Sequence, residues 1–180
     1  EPLHEAVQDL LATQPHIRLA MSVPANNSLQ SIAAAFSNNP ALRPLYEDLA
    51  QLVDMFCCLF DLPVAGFRLT GLDRAMCPRF HVDKVPCRLI TTYSGQATQW
   101  LTHHDVDRSK LGHGSQGLPD ERSGLYQHPT QVQQLSTNDV ALLKGEGWLD
   151  NTGAGLVHRS PQLQQEEQRL LLTLDFINSD

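Results

Sequence analysis

The sequence predicts an α+β protein that is mainly β: helices in the first third, then a jelly roll or barrel. Three observations carry this. Apolar residues recur at helical spacing before residue 63. After Pro63 come eight short apolar or alternating runs, bounded by Gly, Pro or polar turns. No long helical pattern falls between those runs, which disfavours a parallel sheet. One domain over residues 1–180 is expected, with residues 1–62 as a helical part packed on a β core over 63–180.

The first third reads element by element. Leu3, Val7, Leu10 and Leu11 mark one side of an amphipathic helix over residues 2–13. Residues 17–23 alternate as a strand, which Pro24 ends. Ser28 is placed to cap a helix over 29–36, stopped by Asn38-Asn39-Pro40. Leu42, Leu45, Leu49, Leu52, Val53, Phe56 and Phe60 then form the longest helical stripe, over residues 42–60. These helices read as packing elements without chemistry of their own.

The expected strands are residues 66–72, 79–83, 88–94, 98–101, 131–135, 140–144, 155–160 and 169–176. Thr137-Asn138-Asp139 reads as a turn into the sixth. Between the fourth and fifth lies a polar loop, residues 102–134, with His103, His104, His113 and His128. A loop this long in a compact domain is either a lid at a site or a mobile excursion. The spacing of its histidines matches no standard metal site.

Composition narrows the function classes. A net charge of −7 argues against a protein whose main business is nucleic-acid backbone. No apolar run approaches the roughly 20 residues of a membrane span. No charged-then-apolar leader opens the chain. Of the four cysteines, the adjacent Cys57 and Cys58 suit thiols on a helix better than a disulfide framework. The expected setting is the cytoplasm. The expected partner is a small-molecule or protein substrate, with neither nucleic acid nor membrane.

The chemistry centres on Cys77-Pro78-Arg79-Phe80-His81-Val82-Asp83-Lys84-Val85-Pro86-Cys87. In a strand, residues two apart share a face, so His81 and Asp83 offer an imidazole and a carboxylate to one metal ion. Far downstream, Gly155-Leu156-Val157-His158-Arg159-Ser160-Pro161 supplies a third ligand candidate, His158. Arg169 opens an otherwise apolar last strand, where a guanidinium needs an anion. A protein carboxylate such as Asp139 or Asp175 is one source of that anion.

This order, His81-x-Asp83, then His158, then Arg169, resembles the iron(II)- and 2-oxoglutarate-dependent dioxygenase superfamily. The resemblance implies a double-stranded β-helix over roughly residues 64–176. It implies iron(II) held by His81, Asp83 and His158, which would be the catalytic centre of an oxidoreductase. It implies 2-oxoglutarate as cosubstrate, its distal carboxylate on Arg169. Tyr93 and Trp100 become candidate pocket residues, since the strands after the His-x-Asp motif line the cavity in such folds. Leu171 departs from the small hydroxyl residue that many members carry two positions past the basic one.

The wording Cys-Pro-Arg-Phe-His-Val-Asp, then Leu-Leu-Lys-Gly-Glu-Gly-Trp at residues 142–148, then Val-His-Arg-Ser-Pro, is similar to a bacterial family catalogued as a domain of unknown function. That family is associated with zinc-responsive genes and metallochaperones. The likeness raises a second function: a non-enzymatic, cupin-like protein binding zinc or iron in metal homeostasis. Cys77, His81, Asp83 and Cys87 would then be a candidate four-ligand zinc set. A straight strand between the two cysteines carries them too far apart for it.

Overall fold

The computed structural model describes residues 2–177, so the ends of the expected 1–180 domain lie outside the described residues. Helix α1 (Pro2–Thr13) buries Ala6, Val7, Leu10 and Leu11, the stripe its spacing predicts. Strand β1 (Arg18–Pro24) follows, then α2 (Ser28–Ala35) and α3 (Arg43–Phe60). Ser28 does not cap α2. Asn27 holds that position, and the Ser28 hydroxyl donates to Asp54 Oδ1 at 2.5 Å, tying α2 to α3.

The remaining strands are β2 (Val64–Leu72), β3 (Cys87–Ser94), β4 (Gln99–Leu101), β5 (Gln133–Gln134), β6 (Val140–Lys144), β7 (Val157–Arg159) and β8 (Arg169–Phe176). They pair antiparallel in two sheets, in the orders β1-β2-β8-β3-β6 and β5-β4-β7. Residues 79–83 form no ladder. They touch β7 through a single bridge, His81 to His158. Pro78 and Pro86 lack the N–H groups a longer ladder needs. The carbonyl of Asp83 is taken instead by the backbone N–H of Glu146 at 2.9 Å.

Count residues 79–83 as the second of eight segments starting at β2. One sheet then reads first-eighth-third-sixth, and the other second-seventh-fourth-fifth. That alternation is a double-stranded β-helix. β1 extends the larger sheet at its edge.

Alternation along the larger sheet separates two environments. Ala65, Phe67, Leu69, Leu89, Tyr93, Leu170, Leu172 and Leu174 face the helices and share one core with Leu10, Leu49, Val53 and Phe56. The opposite face carries Leu72, Ile90, Leu143 and Leu171 toward the smaller sheet. On β8 this inner face reads Arg169, Leu171, Thr173, Asp175. A charge at each end of an apolar strand face is what positions the site.

Candidate metal centre

His81 and His158 exchange both backbone hydrogen bonds, N–H to O at 3.0 Å each way. Residues opposed in this way lie side by side. Their rings stand 4.6 Å apart between centroids. Asp83, two residues past His81, completes the group. Its Oδ2 lies 3.5 Å from His158 Nε2 and its Oδ1 3.9 Å from His81 Nε2. Among the described residues this is the one cluster able to hold a metal ion, its three ligand atoms within 4.8 Å of one another.

The tautomers follow from the neighbours. His81 Nδ1 lies 2.9 Å from the Arg79 carbonyl, and His158 Nδ1 lies 3.1 Å from the Leu156 carbonyl. A carbonyl only accepts, so each Nδ1 carries the proton and each Nε2 turns a lone pair toward Asp83. Burial holds the His158 pKa below the ordinary histidine value; Asp83 opposes this and His81 adds to it. A neutral imidazole is the form that binds a metal. Two imidazoles and one carboxylate therefore fit a divalent cation with coordination positions left open. The side chains of His158, Asp83 and His81 are 7%, 12% and 35% exposed, so the cluster opens on the His81 side.

Two further features brace Asp83. Arg88 Nη1 donates to its Oδ2 at 2.9 Å, while Arg88 Nε and Nη2 donate to Asp175 at 2.8 and 3.0 Å. Burial pulls the Arg88 pKa down, but the bonds to Asp175 and the charges of Asp175 and Asp83 outweigh it, and the net shift is upward. The stretch 142–148 supplies the second brace. At Gly145 and Gly147 a Cβ would collide with the carbonyl oxygens of Val85 and Lys84, so only glycine lets this turn lie on the Asp83 segment. Lys84 and Glu146 close the same contact with an ion pair.

Arg169 lies at 1% exposure and makes no ion pair among the described residues, although the charge of Glu167 acts on it. Its Nη1 donates to Ser160 Oγ at 3.3 Å, and its Nη2 donates to Thr92 and Thr98 hydroxyls at 3.1 and 2.9 Å. Its Nε is buried without a hydrogen-bond partner, as is the Thr173 hydroxyl four residues further along the same face. Desolvation pulls its pKa down to about 10, against the opposing charge of Glu167. Asp175 is engaged by Arg88, and Asp139 by the Ser136 N–H, so neither supplies the anion. Ser160 stands two residues past His158. Extended chain spans roughly 6–7 Å over that distance, which brings Arg169 into the neighbourhood of the histidine.

Tyr93 is not brought to this group. Along β3 it shares the parity of Leu89, so it faces the helices, where its hydroxyl donates to Asp48 at 2.5 Å. Trp100 is the register partner of His158 and lines an apolar recess of about 190 Å³ with Leu135, Ala141 and Leu156. Cys77 is exposed, Cys87 is buried, and neither joins the cluster, so the four-ligand zinc set is not assembled.

The loop 102–134 folds into short 3₁₀ turns over a second core of Phe80, Leu101, Leu125, Tyr126 and Val157. Its anchor, Asp120, was not legible in the sequence. This buried carboxylate accepts from the Phe80 N–H at 2.8 Å and from Arg159 at 3.1 Å, and it pairs with Arg79 at 3.3 Å. Arg159 therefore faces the loop, stacked on Phe80. Beside His81 the loop leaves a cavity of about 550 Å³, bordered by Lys110, His113, Ser115 and Gln116.

Several solved structures are similar to this chain. AviO1 from Streptomyces viridochromogenes Tue57 is 16% identical, with 99% of this chain and 83% of that chain covered, at a TM-score of 0.44. The dioxygenase for auxin oxidation in rice is 10% identical, with 90% and 58% covered, also at 0.44. A Klebsiella pneumoniae protein with a double-stranded β-helix domain is 13% identical at 0.32. The match covers 61% of this chain and the same share of the Klebsiella chain. The fold itself stands on the strand pairing described above. No curated protein matches the sequence. Residues 1–175 match the family described as "Protein of unknown function (DUF1826)", and the chain belongs to that family.

Proposed function

We propose that this protein is an iron(II)- and 2-oxoglutarate-dependent oxygenase acting on a small molecule that enters beside His81. The observation that carries the reading is Arg169: a buried guanidinium with no ion-pair partner and an orphaned Nε, next to Ser160 and so near the ligand His158. His81, Asp83 and His158 would hold the metal through Nε2, carboxylate and Nε2. Bound there with 2-oxoglutarate, iron(II) would supply oxygen activation and the oxidation of a C–H bond. The chain's own work is to hold and exclude. Arg169 receives a carboxylate in a water-poor interior. Arg88 fixes the Asp83 oxygens, and the apolar inner face around Leu171 and Ile90 keeps water from the space between.

A non-enzymatic metal-binding role, with zinc or iron and a link to zinc homeostasis, is favoured by Leu171. That apolar residue takes the inner-face position where the resembling oxygenases carry a hydroxyl. The test is reconstitution with iron(II) without oxygen, then addition of 2-oxoglutarate and air. Slow succinate formation, absent in His158→Ala, is the expected result. An iron-loaded protein that forms no succinate would favour the binding role.

A further inference from the structure

On the same inner face, at the β1–β2 end of the larger sheet, lies a groove of about 500 Å³ bordered by Arg18, Arg68, Arg74, Thr70, Leu72 and Met76. Three arginines border it, in a chain of net charge −7. None has an ion-pair or hydrogen-bond partner among the described residues, and Asp73 beside them is turned to His16. Register makes the crowding explicit. Arg18 faces Thr70 and Ala20 faces Arg68, so the two arginines are diagonal neighbours on one face, their backbones roughly 7–8 Å apart. Side chains rooted that close can bring both charges to one anion, which offsets their mutual repulsion.

Arg18 alone reads as a charge guarding an edge strand. That account does not extend to Arg68, which sits in the second strand, or to Arg74, which reaches in from the following loop. The groove also has an apolar floor, with Leu72 buried and Met76 47% exposed, as a site for an organic anion needs. It adjoins the metal centre. Arg68 faces Thr173 across β2 and β8, and Asp175, next along that face, is the carboxylate that holds Arg88 against Asp83.

We propose that Arg18, Arg68 and Arg74 form a binding site for the phosphate or carboxylate group of a small molecule. The site does not depend on the oxygenase reading; if that reading holds, it assigns an anionic substrate.

The test is NMR titration of the full, ¹⁵N-labelled chain loaded with zinc, using phenyl phosphate and tricarballylate as probes. Saturable shifts at residues 18–22 and 68–72 are expected with at least one probe, and the probe that saturates names the anion. Since a hydrogen bond to a charged group is worth about tenfold, Arg18→Gln with Arg68→Gln should weaken binding about tenfold or more. Arg74→Gln, outside the strands, should weaken it less, and added salt should weaken it further. Equal affinity in the double variant, shifts centred on Arg169 and its neighbours, or no saturable shift overturns the proposal. Metal content of the same samples is measured separately, so loss of the metal reading and loss of the anion site are told apart.

Discussion

Arg88 ties the carboxylate of the His81–Asp83–His158 cluster to the end of β8: Nη1 donates to Asp83 at 2.9 Å while Nε and Nη2 grip Asp175 at 2.8 and 3.0 Å. One oxygen of Asp83 is thereby fixed, and the other is left facing His81. A ligand held this way needs no reordering when a metal arrives. Arg88→Met should lower divalent-metal affinity roughly 10–100-fold, the usual cost of losing such a partner. Competition with a chromophoric chelator measures it. His81→Ala removes a ligand outright and should abolish stoichiometric binding, while His113→Ala, in the cavity wall, should leave it intact. Unchanged affinity in Arg88→Met would show that Asp83 orients itself.

Asp120 holds the long loop to the barrel through Phe80, Arg79 and Arg159. Asp120→Ala leaves a buried N–H and two arginines without that acceptor. Hydrogen bonds to a charged group put the loss of stability at about 2–3 kcal/mol, read by urea denaturation. Limited proteolysis should cut within residues 102–134 faster than in the wild type, with metal stoichiometry unchanged. Equal cutting rates would mean that the second core around Phe80 and Leu125 holds the loop unaided.

The sequence carried the strand count because alternation and turn residues are local signals. Eight segments from β2 onward were legible, down to both ends of β8. Residues 79–83 were read as a strand on alternation, yet the flanking Pro78 and Pro86 speak against a ladder, and the turn that takes up the Asp83 carbonyl lies about sixty residues away, outside any local pattern. His81, Asp83 and His158 could be singled out together because spacing and order survive in a one-dimensional string, and the fold brings their ligand atoms within 4.8 Å of one another. Arg88 was missed although the logic applied to Arg169, a charge in an apolar strand, points to it equally. Tyr93 was assigned to the cavity by its position after the motif, although it shares the parity of Leu89 and so faces the helices. Asp120 had no local signal, since its partners lie 39 and 40 residues away in sequence.

Tyr93 sets a pH dependence. Burial first, then the charge of Asp48, hold its pKa well above 10. In the unfolded chain the phenol ionises near pH 10; in the folded chain it stays protonated. The unfolded state therefore loses its proton first. The contribution is complete below about pH 10 and is lost as pH rises from there toward the folded value. Tyr93→Phe should make the fall of stability between about pH 10 and pH 11 shallower by at most about 1.4 kcal/mol per pH unit. A residual slope remains, because burial raises Tyr126 as well. Urea midpoints across that range check it, and identical slopes would place the Tyr93 ring in water.

Arg169 separates a structural charge from a ligand-binding one, because the two make opposite stability predictions. A buried arginine paired with a protein carboxylate stabilises, and removing it costs about 3–5 kcal/mol. Arg169 has hydroxyl partners only, and burial already pulls its pKa down to about 10. Replacing it with leucine removes a buried charge that has no ion-pair partner and only the field of Glu167 to offset it. Arg169→Leu should therefore leave stability unchanged or raise it, and metal stoichiometry should hold. Affinity for 2-oxoglutarate should fall by about 2–5 kcal/mol, tenfold or more, with loss of the charge-assisted contact. Anaerobic titration of the iron(II) protein, following the visible band that chelation of the cosubstrate produces, reads the affinity. Denaturation of the same variant without cosubstrate reads the stability. A destabilised variant with an unchanged titration would make Arg169 part of the scaffold. A stable variant with a weakened titration leaves the anion as the reason for a charge at that depth.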